Sequence, residues 1–340
     1  MISSRIARKL LCQTLGVTAA FLSLVSYRDI AYGAQPSPTA TQTPSKSNIV
    51  DIEDEKPIYP IAEKIIRANG LDENPWRLKV DNEYDDNASA RDVNQIVLLK
   101  GLLDKVDGDE AAIAFILGHE IAHHTQKHMY SYTAYAAKLT KQLQAEVDAK
   151  VQGIIATETK KFETSRSTKR RSKSLCPSQN TAKNPSLSAF PEYIALNCEG
   201  KPDSKKIEQL KEQITAEKEP ELYSQIKKLS RQQEYDADKF GYMYMVRAGY
   251  SPEGALRVLN LMSRLPYYDT EDSSHPSFSD RLNAIKELMN KYPAPTLVAE
   301  GETRLRLNPQ PLTYDVSKDG ESLRINSRFG SQRQVSKRVK

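Results

Sequence analysis

Four of the five histidines in this chain, His119, His123, His124 and His128, fall within ten residues. Inside that run lies His119-Glu120-Ile121-Ala122-His123, an H-E-x-x-H pattern. At roughly 3.6 residues per turn, a four-residue step turns only about 40° round a helix, so both imidazoles leave one face. Glu120 stands about 100° from His119, at the edge of that face, where its carboxylate can reach a metal-bound water without ligating the metal. Two imidazole ligands and a carboxylate base are what a hydrolytic zinc centre uses. The competing explanation is a surface helix with coincidental histidines. Against it stands the stretch from Ala111 to Leu117, apolar nearly all round, as in a helix buried within a domain. Polar histidines ending a buried helix need partners, and a metal supplies one.

A catalytic zinc takes three protein ligands and keeps one position open, and two histidines with a glutamate form one standard set. The run from Arg231 to Asp238 offers a third ligand. Glu234 and Asp238 lie four apart and share a helical face, while Asp236 points nearly opposite. Glu234 can ligate; Asp238, one turn on, can accept the free N–H of a ligand histidine and fix its tautomer. A solvated acidic face, with Arg231 and Lys239 as ion-pair partners, fits the same residues. The fifth histidine lies in His275-Pro276-Ser277-Phe278-Ser279-Asp280-Arg281. In a Ser/Pro loop it can be a surface residue. As a donor to a developing oxyanion, with Arg281 beside it, it would complete the chemistry.

These groups need a framework. Asp107 is a good N-cap for the histidine helix, with Glu110 three residues on as in a capping box. Helical patterning resumes from Tyr130 to about Phe162 and again over Ser204 to Lys218; Glu219-Pro220 opens another helix, which carries Glu234 toward Phe240. Upstream, Pro60 to Asn69 is an amphipathic helix stopped by Gly70, Trp76 to Val80 alternates like a strand, and Gln95 to Lys100 is a second short apolar run. A helix spans Pro252 to about Ser263. Beyond Tyr292, Thr303 to Leu307 and Ser322 to Ile325 alternate like two strands, and the basic end reads as a frayed tail. The expected fold is α+β and predominantly helical, a zincin-like (gluzincin) metallopeptidase core with a small few-stranded sheet.

The chain has 340 residues, 39% hydrophobic and 27% charged, with a mean hydropathy of −0.61, which excludes a multi-span membrane protein. Its formal charge of +5 falls to about +2 once Arg5, Arg8, Lys9, Arg28 and Asp29 are set aside, which argues against a nucleic-acid partner. Arg5, Arg8 and Lys9 followed by mostly apolar Leu10 to Val25, with small residues near Gly33, read as a secretory signal over residues 1–33. An uncleaved signal anchor, holding the protein at a membrane, is the alternative. Either places the chain in the periplasm or cell envelope. Residues 34–56 are Pro/Ser/Thr-rich and read as a disordered linker. The metallopeptidase domain is expected over 57–292, with an insertion near 164–202 whose basic run, Thr164 to Ser174, reads as a solvated loop. Residues 293–340 form a partly disordered C-terminal extension. In an exported chain, Cys176 and Cys198 suggest a disulfide closing a loop of about twenty residues and stabilising by roughly 3 kcal/mol.

Taken together, the motifs resemble the HtpX/CAAX-prenyl-protease family of zinc metallopeptidases, in particular its exported, single-domain BepA-like members. The resemblance is carried by Asn74-Pro75-Trp76, Asn87-Ala88, Gly101-Leu102-Leu103, Gly118 to His123 with His128, Glu234 with Ala237-Asp238, Ala248-Gly249-Tyr250 with Pro252, and His275-Pro276 with Arg281. It implies one zinc ion per chain on His119, His123 and Glu234, Glu120 as general base, and Asp238 behind the ligands. It further implies that His275 and Arg281 stabilise the transition state, and that Gln95, Ile96, Val97, Leu98 and Leu99 form a strand that pairs with substrate. Family members usually carry a Gly-Gly pair before that strand; here the sequence is Arg91-Asp92-Val93-Asn94. The function expected is a zinc-dependent endopeptidase that cleaves misfolded or unassembled envelope proteins by Glu-assisted attack of zinc-bound water. Protein or peptide substrates and membrane-associated proteins are its expected partners. An assembly or quality-control factor whose binding role outweighs proteolysis is the alternative, and a zinc hydrolase acting on a non-peptide substrate is a third.

Overall fold

A computed structural model describes residues 54–168, 201–265 and 275–330. The expectations for the signal, for most of the linker and for the Cys176–Cys198 disulfide lie outside these residues. The chain divides into two compact units. One, helical, comprises the described residues between Tyr132 and Lys228; the other comprises those up to Ser131 and from Leu229 onward, and it holds the sheet.

The sheet-bearing unit opens with α1 (Tyr59–Ala68), whose Ile61, Ala62, Ile65 and Ile66 repeat at helical spacing and are buried. Three strands follow: β1 (Trp76–Asp81), β2 (Ala88–Arg91) and β3 (Gln95–Leu99). Short α2 (Lys100–Lys105) leads to α3 (Glu110–Thr125), the histidine helix, and α4 (His128–Thr168) begins directly after it. Helix α5 (Ser204–Arg247) returns with Glu234 and Asp238. Then come α6 (Glu253–Met262), α7 (Phe278–Lys291), α8 (Ala294–Leu307), β4 (Tyr314–Val316) and β5 (Leu323–Ile325). A single apolar core joins Ile65, Trp76, Leu78, Leu98, Leu117, Ile121, Met245, Leu259, Ile285 and Leu323.

The five strands lie in the order β2-β3-β1-β5-β4, with β1 parallel to β3 and every other pair antiparallel. On β1 the alternation read from sequence holds, with Trp76, Leu78 and Val80 turned to the core. β3 is buried throughout because it is interior: β1 pairs along one side and β2 along the other. Gln95 to Leu99 therefore has no free edge for a peptide, which corrects the expectation that it pairs with substrate. The outer strands are β2 and β4, and β2 is the one beside Glu120. Leu99 N–H donates to the Asn87 carbonyl directly opposite it. The alternation of an antiparallel ladder then turns the backbone groups of Ala88 and Ala90 away from β3. The β2–β3 connection, where the Gly-Gly pair is missing, places Asp92 and Asn94 at φ 44° and 55°. Asn and Asp are the non-glycine residues that adopt this left-handed region most readily, so the turn survives the replacement.

The C-terminal expectations need correction. Thr303 to Leu307 is not a strand: it ends α8, where Leu297, Gly301 and Leu305 recur every fourth residue. β5 forms as expected, and β4, unforeseen, pairs with it. Residues up to 330 are part of the sheet-bearing unit; the basic end, expected to fray, lies outside the described residues. Glu63 accepts the Leu312 N–H at 2.9 Å, Tyr59 bonds the Leu312 carbonyl, and β5 extends the sheet from β1.

In the helical unit, Ala136, Leu139, Leu143, Val147 and Val151 on α4 form one buried stripe, and Leu210, Ile214, Leu222 and Ile226 form another on α5. Lys211 pairs with Asp148 at 2.6 Å. Two helices expected over 204–240 are one, because Pro220 lies inside α5 on an exposed face, where water can serve the carbonyl that it leaves unpaired.

Candidate active site

Helix α3 is capped by Asp109 rather than by Asp107. Its carboxylate accepts the Ala112 N–H at 3.0 Å and is gripped by Arg257 at 2.6 and 2.8 Å. Ala112 and the residues from Ala114 to His123 are all buried, which excludes the surface-helix explanation of the histidines. The approach of α5 is set by two glycines. A Cβ on Gly118 would stand 2.8 Å from the Gly241 carbonyl, and one on Gly241 would stand 2.8 Å from the His119 nitrogen. The helices thus touch backbone to backbone, which only glycine permits, and the turns of α5 before Gly241 deliver Asp238 and Glu234 to the histidines.

There the side chains converge. His119 Nε2 lies 3.1 Å from His123 Nε2, and the Glu234 carboxylate lies 3.6 Å from the first and 3.5 Å from the second. Zinc bonds of about 2.0–2.1 Å in a tetrahedron put neighbouring donors roughly 3.3 Å apart, so the observed triangle has the size that the ion needs. Among the described residues, this is the one group of three such side chains with all donor atoms within 4.8 Å of one another.

Behind the triangle, His119 Nδ1 lies 3.0 Å from Asp238 Oδ1. Arg281, 2% exposed, donates to the same carboxylate through Nε at 2.7 Å and through its terminal nitrogen at 2.6 Å, and a further nitrogen lies 3.5 Å from Glu234. The guanidinium fork is thus occupied by two acids. Its place is a clamp on Asp238 and Glu234, not that of the free oxyanion donor expected from sequence. His275 is close: its Nδ1 stands 3.2 Å from Glu234. His123 Nδ1 faces His128 Nδ1 at 3.1 Å. His124 turns away, with Nε2 2.9 Å from the Gln95 carbonyl, and ties the end of α3 to β3.

Electrostatics follow from this burial. Desolvation alone pushes Glu234 and Asp238 upward, but His275, His119 and Arg281 hold Glu234 well below the ordinary carboxylate range, and Arg281 with His119 lowers Asp238. Desolvation pushes His119 down, yet the Asp238 hydrogen bond and the surrounding acids carry it above its usual value. His123 is driven well below its usual value by burial and by its histidine neighbours, and His128 falls to about 4, chiefly through burial. Glu120 lacks a cationic clamp of its own. Burial raises it to about 7, against the pull of His119 and of the Ala90 backbone N–H on the free edge of β2.

A buried two-histidine, one-glutamate triangle is a donor set that hydrolytic metal centres use. The sequence model of peptidase family M48 matches residues 53–289 of the chain. The chain belongs to peptidase family M48. M48 is a metallopeptidase family, and His119, His123 and Glu234 are the side chains here that can hold its metal. No curated protein and no solved structure matches the chain. Sequence reasoning missed three contributors to this M48 site: the Ala90 backbone, the Gly118–Gly241 contact and the placement of His128. An isolated glycine in each of two helical patterns was the available signal for the second.

Proposed function

We propose that this M48 peptidase is a zinc-dependent endopeptidase in which Glu120 is the general base. The observation that carries the proposal is the burial of Glu120 one residue from a donor triangle of zinc dimensions. Zinc, when bound, lowers the pKa of water toward neutrality and polarises a carbonyl. Glu120 takes the proton of the attacking water and passes it to the leaving amine. Asp238 holds His119 by its Nδ1–H, and Arg281 keeps Asp238 and Glu234 ionised. His275, beside Glu234, is the remaining donor for the oxyanion. An extended peptide pairs along β2, whose outward backbone groups at Ala88 and Ala90 are free of β3. The N-terminal basic and apolar run supports export, and with it misfolded or unassembled envelope proteins as substrates, as the resemblance to BepA-like members implies.

Glu120→Gln tests the assignment. The purified variant is expected to retain one zinc per chain and lose cleavage of unfolded casein, whereas Glu234→Ala loses zinc. A fully active Glu120→Gln enzyme overturns the mechanism, and chelator-insensitive casein binding without cleavage by the wild type points to an assembly factor instead.

A further inference from the structure

Two of the proposed ligands are histidines, and each must present an unprotonated Nε2 to the metal. Its proton then sits on Nδ1 and needs an acceptor. For His119 that acceptor is Asp238. For His123 the atom facing Nδ1 is Nδ1 of His128, 3.1 Å away, with the two rings edge to face and their centroids 4.9 Å apart. His128 is 6% exposed. It is not among the side chains whose donor atoms converge on the triangle, so it stands behind a ligand rather than being one.

The backbone is bent to put it there. In a continuous helix, residues five apart diverge by roughly 140°, so His128 would face away from His123. Helix α3 instead stops at Thr125, Lys127 takes φ 56°, and α4 starts at His128. That left-handed conformation is costly for lysine and persists only where the surroundings hold it. They do: Gln233, the neighbour of Glu234, donates to the His128 carbonyl at 3.0 Å and to Ser131 Oγ at 2.9 Å, and Ser131 N–H bonds the Lys127 carbonyl at 3.0 Å.

The geometry points to His128 as a positioning residue for the metal, which accepts the Nδ1–H of His123 and so fixes that ligand's tautomer and ring angle. The inference rests on the zinc reading above. It also makes the two histidine ligands unequal, one backed by a carboxylate and the other by a neutral imidazole.

The test is zinc affinity of the full chain, stripped and then titrated against a chromophoric chelator, with the melting temperature of the stripped protein as the control for folding. Asn carries its oxygen where His carries Nδ1, so H128N keeps the acceptor; H128L removes it. Zinc Kd is expected to rise about 10–100-fold in H128L and to stay within about threefold of wild type in H128N. Should H128L not fold, H128S, too short to reach, is expected to show the same loss. An H128L (or H128S) Kd equal to wild type overturns the assignment, as does an equal loss in folded H128N. His123→Ala separates the two readings: if it binds zinc like wild type, the metal site itself is misassigned.

Discussion

Arg281 offers the sharpest test of the electrostatics, because one buried cation serves two buried anions. Its nitrogens lie 2.6 and 2.7 Å from Asp238 and 3.5 Å from Glu234. At an effective dielectric constant of about 20, contacts of this length attract by roughly 5–6 kcal/mol each. Desolvation offsets much of that attraction, and removing one partner of a buried pair costs about 3–5 kcal/mol net. Arg281→Met keeps most of the volume and deletes the charge, so the metal-free variant is expected to be destabilised by about that amount near pH 7.5. The pH dependence has a definite sign. Glu234 and Asp238 are depressed in the folded wild type. They therefore stabilise it above their unfolded values of about 4, and that contribution is lost as pH falls through the folded values. Without Arg281 both carboxyls rise and protonate on mild acidification, which relieves the variant while the wild type is still intact. Urea melts in chelator at pH 7.5 and pH 5 should show the gap narrowing by about 1–2 kcal/mol. A gap that is under about 1 kcal/mol, or the same at both pH values, would refute the clamp.

Burial pushes the Glu120 carboxyl up to about 7 where no metal is bound. A dication beside it lowers that value, so loading zinc at pH 7 should release on the order of half a proton more from wild type than from Glu120→Gln, read in weakly buffered indicator dye. Equal release would place the Glu120 carboxyl elsewhere on the pH scale. Ala90→Pro deletes the N–H that reaches Glu120 and obstructs the free edge of β2, yet leaves the β3 ladder whole. It is expected to cut kcat/KM on peptides about tenfold or more while zinc affinity stays unchanged; unaltered peptide kinetics would mean that substrate does not pair there.

The candidate metal site was legible where it depends on spacing within one helix. His119 and His123 share a face because they are four apart, and Glu234 with Asp238 follows the same rule on α5. What connects those helices was not legible. The strand order depends on pairings between residues far apart in the chain, such as Leu78 with Leu323, and the apolar run of β3 does not say which strands flank it. Ala88-Ser89-Ala90-Arg91 is too short and too weakly patterned to announce a strand, and Thr303 to Leu307 alternates well enough to imitate one. Pro220 reads as a helix boundary until an exposed face lets the helix run through it.

The devices that convert spacing into a site are backbone features. Gly118 against Gly241 sets how near α5 comes to α3, and the left-handed Lys127 decides where His128 lands. A side chain at either glycine would push Glu234 outward by about the size of a methyl group, enough to spoil a triangle whose sides are 3.1 to 3.6 Å. The H-E-x-x-H run therefore names two of the donors, but the third is held at bonding distance by an absence of side chains. That is why a glycine within each of the two helices shapes the candidate metal site as much as the histidines do.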